Sequence, residues 1–181
     1  MTAPETEPLP TPEITPPARV LLVVAPFYRH LADGLLSGAR DALDAAGVAH
    51  ETVEVPGALE VAPAIGLAAR SGRFDGFVAL GCVIRGETAH YEIVCGESAR
   101  GITMLGVQRG LAIGNGVLTC ETMEQAEARA DPAGMNKGGG AAEAALHLIG
   151  LARRYPPPSP GPAPGDADTL LAGAAGLTRL G

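Results

Sequence analysis

The sequence predicts a three-layer α/β/α sandwich on a four-stranded, mainly parallel sheet. Three observations carry that prediction. Val20-Leu-Leu-Val-Val24 is a continuous apolar run, the mark of a strand buried on both faces. Between such runs, apolar residues recur every three or four positions, the period of a helix packed on one side. Strands alternating with helices require right-handed crossovers, and therefore parallel neighbours covered above and below.

Residues 1–18 are rich in Pro, Thr and Glu and read as a disordered N-terminal arm, with the part near Ile14 able to dock on a neighbouring subunit. The first strand, from Val20, ends in Ala25-Pro26-Phe27-Tyr28. Leu31, Leu35, Ala39, Leu43 and Ala46 mark the first helix, stopped by Gly47. His50 to Val55 is the second strand. Pro56-Gly57-Ala58 turns into a helix of Glu60, Val61, Ile65 and Ala68, with Pro63 placed in about its first turn. The third strand ends at Phe77-Val-Ala-Leu80, turns over small residues to Gly86-Glu87-Thr88, and feeds a helix reaching about Gln108. Leu111 to Thr119 is a fourth strand, interrupted by Gly114-Asn115-Gly116. Thr122 and Gln125 have capping-box spacing for a short helix that Asp131-Pro132 ends. Asn136-Lys137-Gly-Gly-Gly140 reads as a glycine-rich loop before a last helix of Ala141, Ala145, Leu148, Ile149 and Ala152. From Pro156 the Pro/Gly-rich composition excludes a packed element, so residues 19–155 form the domain and 156–181 a tail.

The net charge of −7 argues against nucleic acid as the partner. The N-terminus has neither the basic nor the apolar region of a signal peptide, and the longest apolar run is too short to span a bilayer. The expected setting is cytoplasmic, without a membrane partner. Cys82, Cys95 and Cys120 form no CxxC pair and read as reduced, half-buried thiols; Cys82 has no base at a fixed offset that would make it a nucleophile. No cluster has metal-ligand spacing.

The candidate site is the stretch from Leu80 to Tyr91. In an α/β sheet, ligands bind beyond the carboxyl ends of strands, against a helix N-terminus that attracts anions. Gly86, Glu87 and Thr88 form that anion cradle, and His90 beside it is the proton-transfer candidate. Gly57, Ala58 and Glu60 place a second strand-to-helix turn at the same edge, suited to reading a planar heterocycle. Phe27 divides evenly between core packing and stacking on such a ring. Arg129 and Lys137 bracket a further loop; such a charged pair is usually solvated surface, but Arg129 stands among Glu121, Glu124 and Glu127, and Lys137 sits beside three glycines where backbone can approach a ligand. The stretch is neither a GxGxxG fingerprint nor a Walker loop.

Taken together and in order, these segments resemble the 6,7-dimethyl-8-ribityllumazine synthase family, the penultimate enzymes of riboflavin biosynthesis. The segments are the strand ending at Phe27, Val55-Pro-Gly-Ala-Leu-Glu60, Leu80-Gly-Cys-Val-Ile-Arg-Gly-Glu-Thr-Ala-His-Tyr91, Thr119-Cys-Glu-Thr-Met-Glu-Gln-Ala126, Arg129 and Asn136-Lys137-Gly138. The resemblance implies a flavodoxin-like sandwich assembled into pentamers or sixty-subunit shells, with sites shared between adjacent subunits. It implies condensation of 5-amino-6-(D-ribitylamino)uracil with 3,4-dihydroxy-2-butanone 4-phosphate, without metal or redox cofactor. By motif position, Phe27 stacks on the pyrimidine. Gly57, Ala58, Glu60, Val83 and Ile84 contact the heterocycle and ribityl chain, with Asn115 and Lys137 reaching from a neighbour. Gly86, Glu87, Thr88 and the neighbour's Arg129 hold phosphate, and His90 transfers protons. Riboflavin synthase is the candidate protein partner. Tyr28, Asn115 and Gly140 stand where many or some members carry Asn, an aromatic and an acidic residue. The competing class is a shell protein that binds riboflavin or lumazine without making it. A flavodoxin-type electron carrier fits poorly, since no Ser/Thr-rich loop follows the first strand and Trp is absent.

Overall fold

The computed structural model describes residues 9–157. Strands β1 (Arg19–Ala25), β2 (Ala49–Glu54), β3 (Gly76–Ile84) and β4 (Ile113–Cys120) form one sheet in the order β2-β1-β3-β4. Every pairing is parallel. The helices are α1 (Arg29–Ala45), α2 (Ala58–Ala69), α3 (His90–Arg109), α4 (Met123–Ala130) and α5 (Lys137–Arg154). This is the three-layer α/β/α arrangement that the strand–helix alternation predicts.

Alternate residues of each strand serve opposite layers. Val20, Leu22, Val24, Val78 and Leu80 pack beneath α1, α4 and α5 with Leu31, Leu35, Leu43, Leu146 and Ile149. Leu21, Val23, Phe77, Ala79 and Ile113 pack against α2 and α3 with Val61, Ile65 and Ile102. The second layer is thin on α3, whose buried residues are Ser98 and Ile102 only.

Small residues set the distances in the first layer. A Cβ on Gly114 would stand 1.8 Å from the Ala141 carbonyl oxygen, and one on Gly138 would stand 2.0 Å from that of Leu35. This explains two departures from the expected elements. Gly114-Asn115-Gly116 does not interrupt β4, because the missing side chains admit α5 against an intact strand. Gly138 and Gly139 lie in the first turn of α5 rather than in a loop, and Asn136 caps that turn by accepting from the Gly139 N–H at 3.0 Å. The shorter α4 starts as its spacing requires. Thr122 Oγ1 accepts from Gln125 N–H at 3.3 Å while Gln125 Oε1 accepts from Glu121 N–H at 3.0 Å.

Three further expectations change. β3 continues past Leu80 to Ile84, because Cys82, Val83 and Ile84 still have β4 to pair with. Pro63 lies inside α2, beyond its first turn. Pro63 and Leu59 are both exposed, which lets water serve the carbonyl left without a helical donor. The arm is described from Leu9, and Ile14 is only 8% exposed, packed in the chain's own first layer rather than left for a neighbour. Arg153 holds that segment by donating to the Pro16 carbonyl at 2.5 Å. Residues 1–8 and the expected tail from 158 lie outside the described residues.

Gly114→Ala and Gly138→Ala are each expected to cost at least about 1–3 kcal/mol through overpacking, read as a lower urea midpoint. Gly140→Ala is the control: nothing lies within 4 Å of its Cβ position, so a gain of up to about 1 kcal/mol is expected. If Gly114→Ala matches wild-type stability, close approach is not what requires the glycine.

Candidate active site

From β1 the chain crosses through α1 to β2 on one side; from β3 it crosses through α3 to β4 on the other. The carboxyl ends of β1 and β3, neighbours in the sheet, therefore open a crevice between diverging connections. A cleft of about 420 Å³ occupies it. Phe27 and Tyr28 form one wall, Pro56 to Glu60 a second, and Cys82, Val83 and Ile84 the floor. Gly86, Thr88, His90, Tyr91 and Val94 form the side where α3 begins.

Each wall follows from local chemistry. Phe27 is 74% exposed, and Tyr28 holds it edge-on with ring centroids 5.1 Å apart. That resolves its reading away from the core, since so exposed a ring stabilises little by burial. Gly57 is the N-cap of α2, and the Glu60 carboxylate folds back to 3.1 Å from where a Cβ on Gly57 would stand. Glycine therefore gives that carboxylate its place in the cleft. Gly86-Glu87-Thr88 is the loop that feeds α3, whose first helical residue is His90. Thr88 Oγ1 accepts from the His90 N–H at 3.4 Å, and the N-cap, Ala89, offers no side-chain acceptor. An uncapped helix start facing a cleft is suited to an anion. His90 is exposed there, within reach of whatever occupies the cleft.

One chain thus brings together Phe27, Gly57, Ala58, Glu60, Val83, Ile84, Gly86, Thr88 and His90. Glu87 is on the same loop, exposed and outside the cleft lining. Three expected residues lie elsewhere in the chain. Asn115 is exposed on β4 and accepts from the Val117 N–H at 3.0 Å. Arg129, in the last turn of α4, donates to the Gln125 carbonyl of its own helix at 2.9 Å. Lys137 is exposed at the start of α5. Sequence reasoning ended the candidate stretch at Tyr91 and did not reach Val94, one turn beyond His90, which also lines the cleft. It also missed Arg85, which Glu121 and then Glu92 hold in its charged form by hydrogen bonding. Among the described residues no group of three or more His, Cys, Asp or Glu side chains is placed to hold a metal ion. No helix there is long and apolar enough to cross a membrane.

Burial pushes the Cys82 thiol up to about 12, with Cys120 adding to the rise, so at neutral pH it is a protonated floor group and not a nucleophile. Unfolded, it ionises near about pH 8.5. Above that pH the unfolded chain gives up a proton that the folded chain keeps. The stabilisation is full below about pH 8.5 and declines by about 1.4 kcal/mol per unit as pH rises towards the folded value. From about pH 8 to about pH 10, the urea midpoint of the wild type should fall more steeply than that of Cys82→Ala. Parallel slopes would show that Cys82 makes no such contribution.

Comparison with known proteins agrees with this architecture. Residues 17–153 match the family model described as 6,7-dimethyl-8-ribityllumazine synthase. The 6,7-dimethyl-8-ribityllumazine synthase of Jannaschia sp. (strain CCS1) is 58% identical over 147 residues, 81% of this chain and 82% of that protein. Those of Sphingopyxis alaskensis and Erythrobacter litoralis are 62% and 60% identical over 138 residues, covering 76% of this chain and 97% and 98% of theirs. With the family match spanning the whole sheet and all five helices but the last residue of α5, this chain belongs to the 6,7-dimethyl-8-ribityllumazine synthase family.

Proposed function

We propose that this chain condenses 5-amino-6-(D-ribitylamino)uracil with 3,4-dihydroxy-2-butanone 4-phosphate, forming 6,7-dimethyl-8-ribityllumazine, phosphate and water, the penultimate step of riboflavin biosynthesis. The observation that carries this reading is the pairing across one cleft of an exposed ring, Phe27, with an uncapped helix start bearing His90. One side suits a planar pyrimidine; the other suits a phosphate beside a proton carrier.

The ring amine attacks the ketone carbon, and the carbinolamine loses water to give an imine. Removal of a proton next to the imine expels the phosphate. The enol left behind ketonises to a new carbonyl, on which the second nitrogen closes, and a second water leaves. Holding the two partners in line supplies much of the acceleration. His90 accepts and returns protons along this sequence. Backbone amides beyond Gly86 take the phosphate, which departs as the anion they favour.

In this reading the site is completed by a neighbouring subunit. Arg129, Lys137 and Asn115 stand outside the cleft of their own chain and are taken as the neighbour's contribution. An assembly is supported by α3, which exposes Ile93, Met104 and Val107, the last 80% exposed. A helix with apolar residues on so many sides is suited to burial against copies of itself. A homo-oligomer, either a pentamer or a sixty-subunit shell, follows, with riboflavin synthase as the enzyme that takes the product. The setting is cytoplasmic.

Mixing the protein with both substrates should release lumazine and phosphate in equal amounts, faster than the protein-free control. Bound flavin with no product would replace the reading by that of a binding shell. His90→Ala should lower kcat by about 10²–10⁴-fold with little change in KM. An unaltered kcat would remove His90 from the chemistry. In sedimentation the wild type should run at five subunits or more, and Val107→Glu should run as smaller species with activity lost in parallel. Full activity in a Val107→Glu monomer would exclude the shared site.

A further inference from the structure

Arg85 stands at the rim of the cleft but does not line it. It ties the end of its own strand to two other segments, the end of β4 and the first turn of α3. Its backbone N–H donates to the Cys120 carbonyl at 3.0 Å, prolonging the contact between β3 and β4. Its Nε donates to Glu121 Oε2 at 2.5 Å, just beyond β4. A terminal guanidinium N–H donates to Glu92 Oε1 in the first turn of α3, and the guanidinium carbon lies 4.2 Å from the centre of the Tyr91 ring. The Glu121 anchor is itself braced, because its backbone N–H donates to Gln125 Oε1 at 3.0 Å.

The segment it spans has little else to hold it. Nothing lies within 4 Å of the Cβ position of Gly86, and Ala89 contributes no capping side chain. The bond from the His90 N–H to Thr88 is long, at 3.4 Å. Yet this segment carries both the anion loop and His90.

We propose that Arg85 is the positioning residue of this site: it clamps the first turn of α3, and with it His90 and the Gly86–Thr88 loop, to the end of β4. The inference rests on the synthase reading for its kinetic consequences. Arg85 does not bind the substrate phosphate. Two carboxylates share its single positive charge, which leaves the cluster of Arg85, Glu92 and Glu121 net negative. The clamp needs arginine in particular. A planar fork of donors reaches two carboxylates on separate segments while lying over a ring, whereas an ammonium is a point charge.

The test uses the full-length protein with Arg85→Gln, Arg85→Lys and Glu121→Ala, in two readouts. In steady-state kinetics, Arg85→Gln should lower kcat, by about 10²-fold for a misplacement near 1 Å, and raise KM for the phosphate substrate. KM for the uracil substrate should hold, because its walls at Phe27 and Pro56 to Glu60 are anchored elsewhere. Arg85→Lys should not restore kcat. The second readout, calorimetric binding of inorganic phosphate, needs no turnover. Glu121→Ala removes a negative charge yet should weaken phosphate binding, as loss of a clamp requires. Tighter binding in Glu121→Ala would mean that the freed arginine grips the anion itself, and would overturn the proposal. So would wild-type kcat in Arg85→Gln, full restoration by Arg85→Lys, or an equal rise in both KM values. A wild type that turns nothing over while phosphate binding follows the expected pattern would sink the synthase reading and leave the clamp standing.

Discussion

The parallel pairing of β1 with β3 is the constraint on which the rest depends. It runs from Val20 against Gly76 to Ala25 against Gly81, and it joins two strands whose onward connections leave in opposite directions. Nothing can fill the space between departing crossovers, so a cleft must open at those carboxyl ends. Its floor is what the buried strand supplies, the partly apolar residues Cys82, Val83 and Ile84. Its walls are whatever follows the strands. The polar and aromatic groups of the candidate site therefore sit on the loops and helix starts that follow the strands, while its location is set by the ladder.

Loops that carry chemistry need external ties, and here these are ionic. Arg29 donates to both oxygens of Glu54, at 2.6 and 3.1 Å, joining the start of α1 to the end of β2. That pair sits one residue beyond Tyr28 and two before Pro56, both in the cleft walls. Arg85 does the same between β3, α3 and the end of β4. Exposed pairs of this kind add little to global stability, but a planar two-point contact fixes direction, which a loop near a reacting group lacks.

The opposite strategy operates at the first layer. With aromatic residues at only 3% of the sequence, bulk is scarce, and density comes from bringing backbones together. Gly38 is an example: a Cβ there would stand 2.0 Å from Asn136 Oδ1, the atom that caps α5. The same tight layer leaves α3, across the sheet, with little to pack on and much apolar surface exposed. Across the sheet α5 also leaves Leu148 and Leu151 exposed, at 39% and 49%, so both layers present apolar surface.

Much of this was legible beforehand because it is written in local pattern. Apolar runs and the 3.6-residue period gave the strand–helix order, Gly47 and Thr122 marked a stop and a start, and much of the motif from Leu80 to Tyr91 lines the cleft of the candidate site. Where the reading failed, the missing information was non-local. Gly114 and Gly138 look like breaks in a sequence, and only the approach of Ala141 and Leu35 shows them to be contacts. β3 outruns its apolar core because β4 lies alongside to pair with it. Ile14 looks like part of a polar arm until α1 and α5 provide a layer to enter. Arg85 looks like one surface charge among several until Glu92 and Glu121, seven and thirty-six residues away, are folded onto it. By itself the sequence determined the elements, their order and the residues able to do chemistry, since these depend on neighbours a few positions apart. The tertiary structure alone decided which of them meet, because ion pairs, close backbone approach and a cleft between strands join positions that no local period connects.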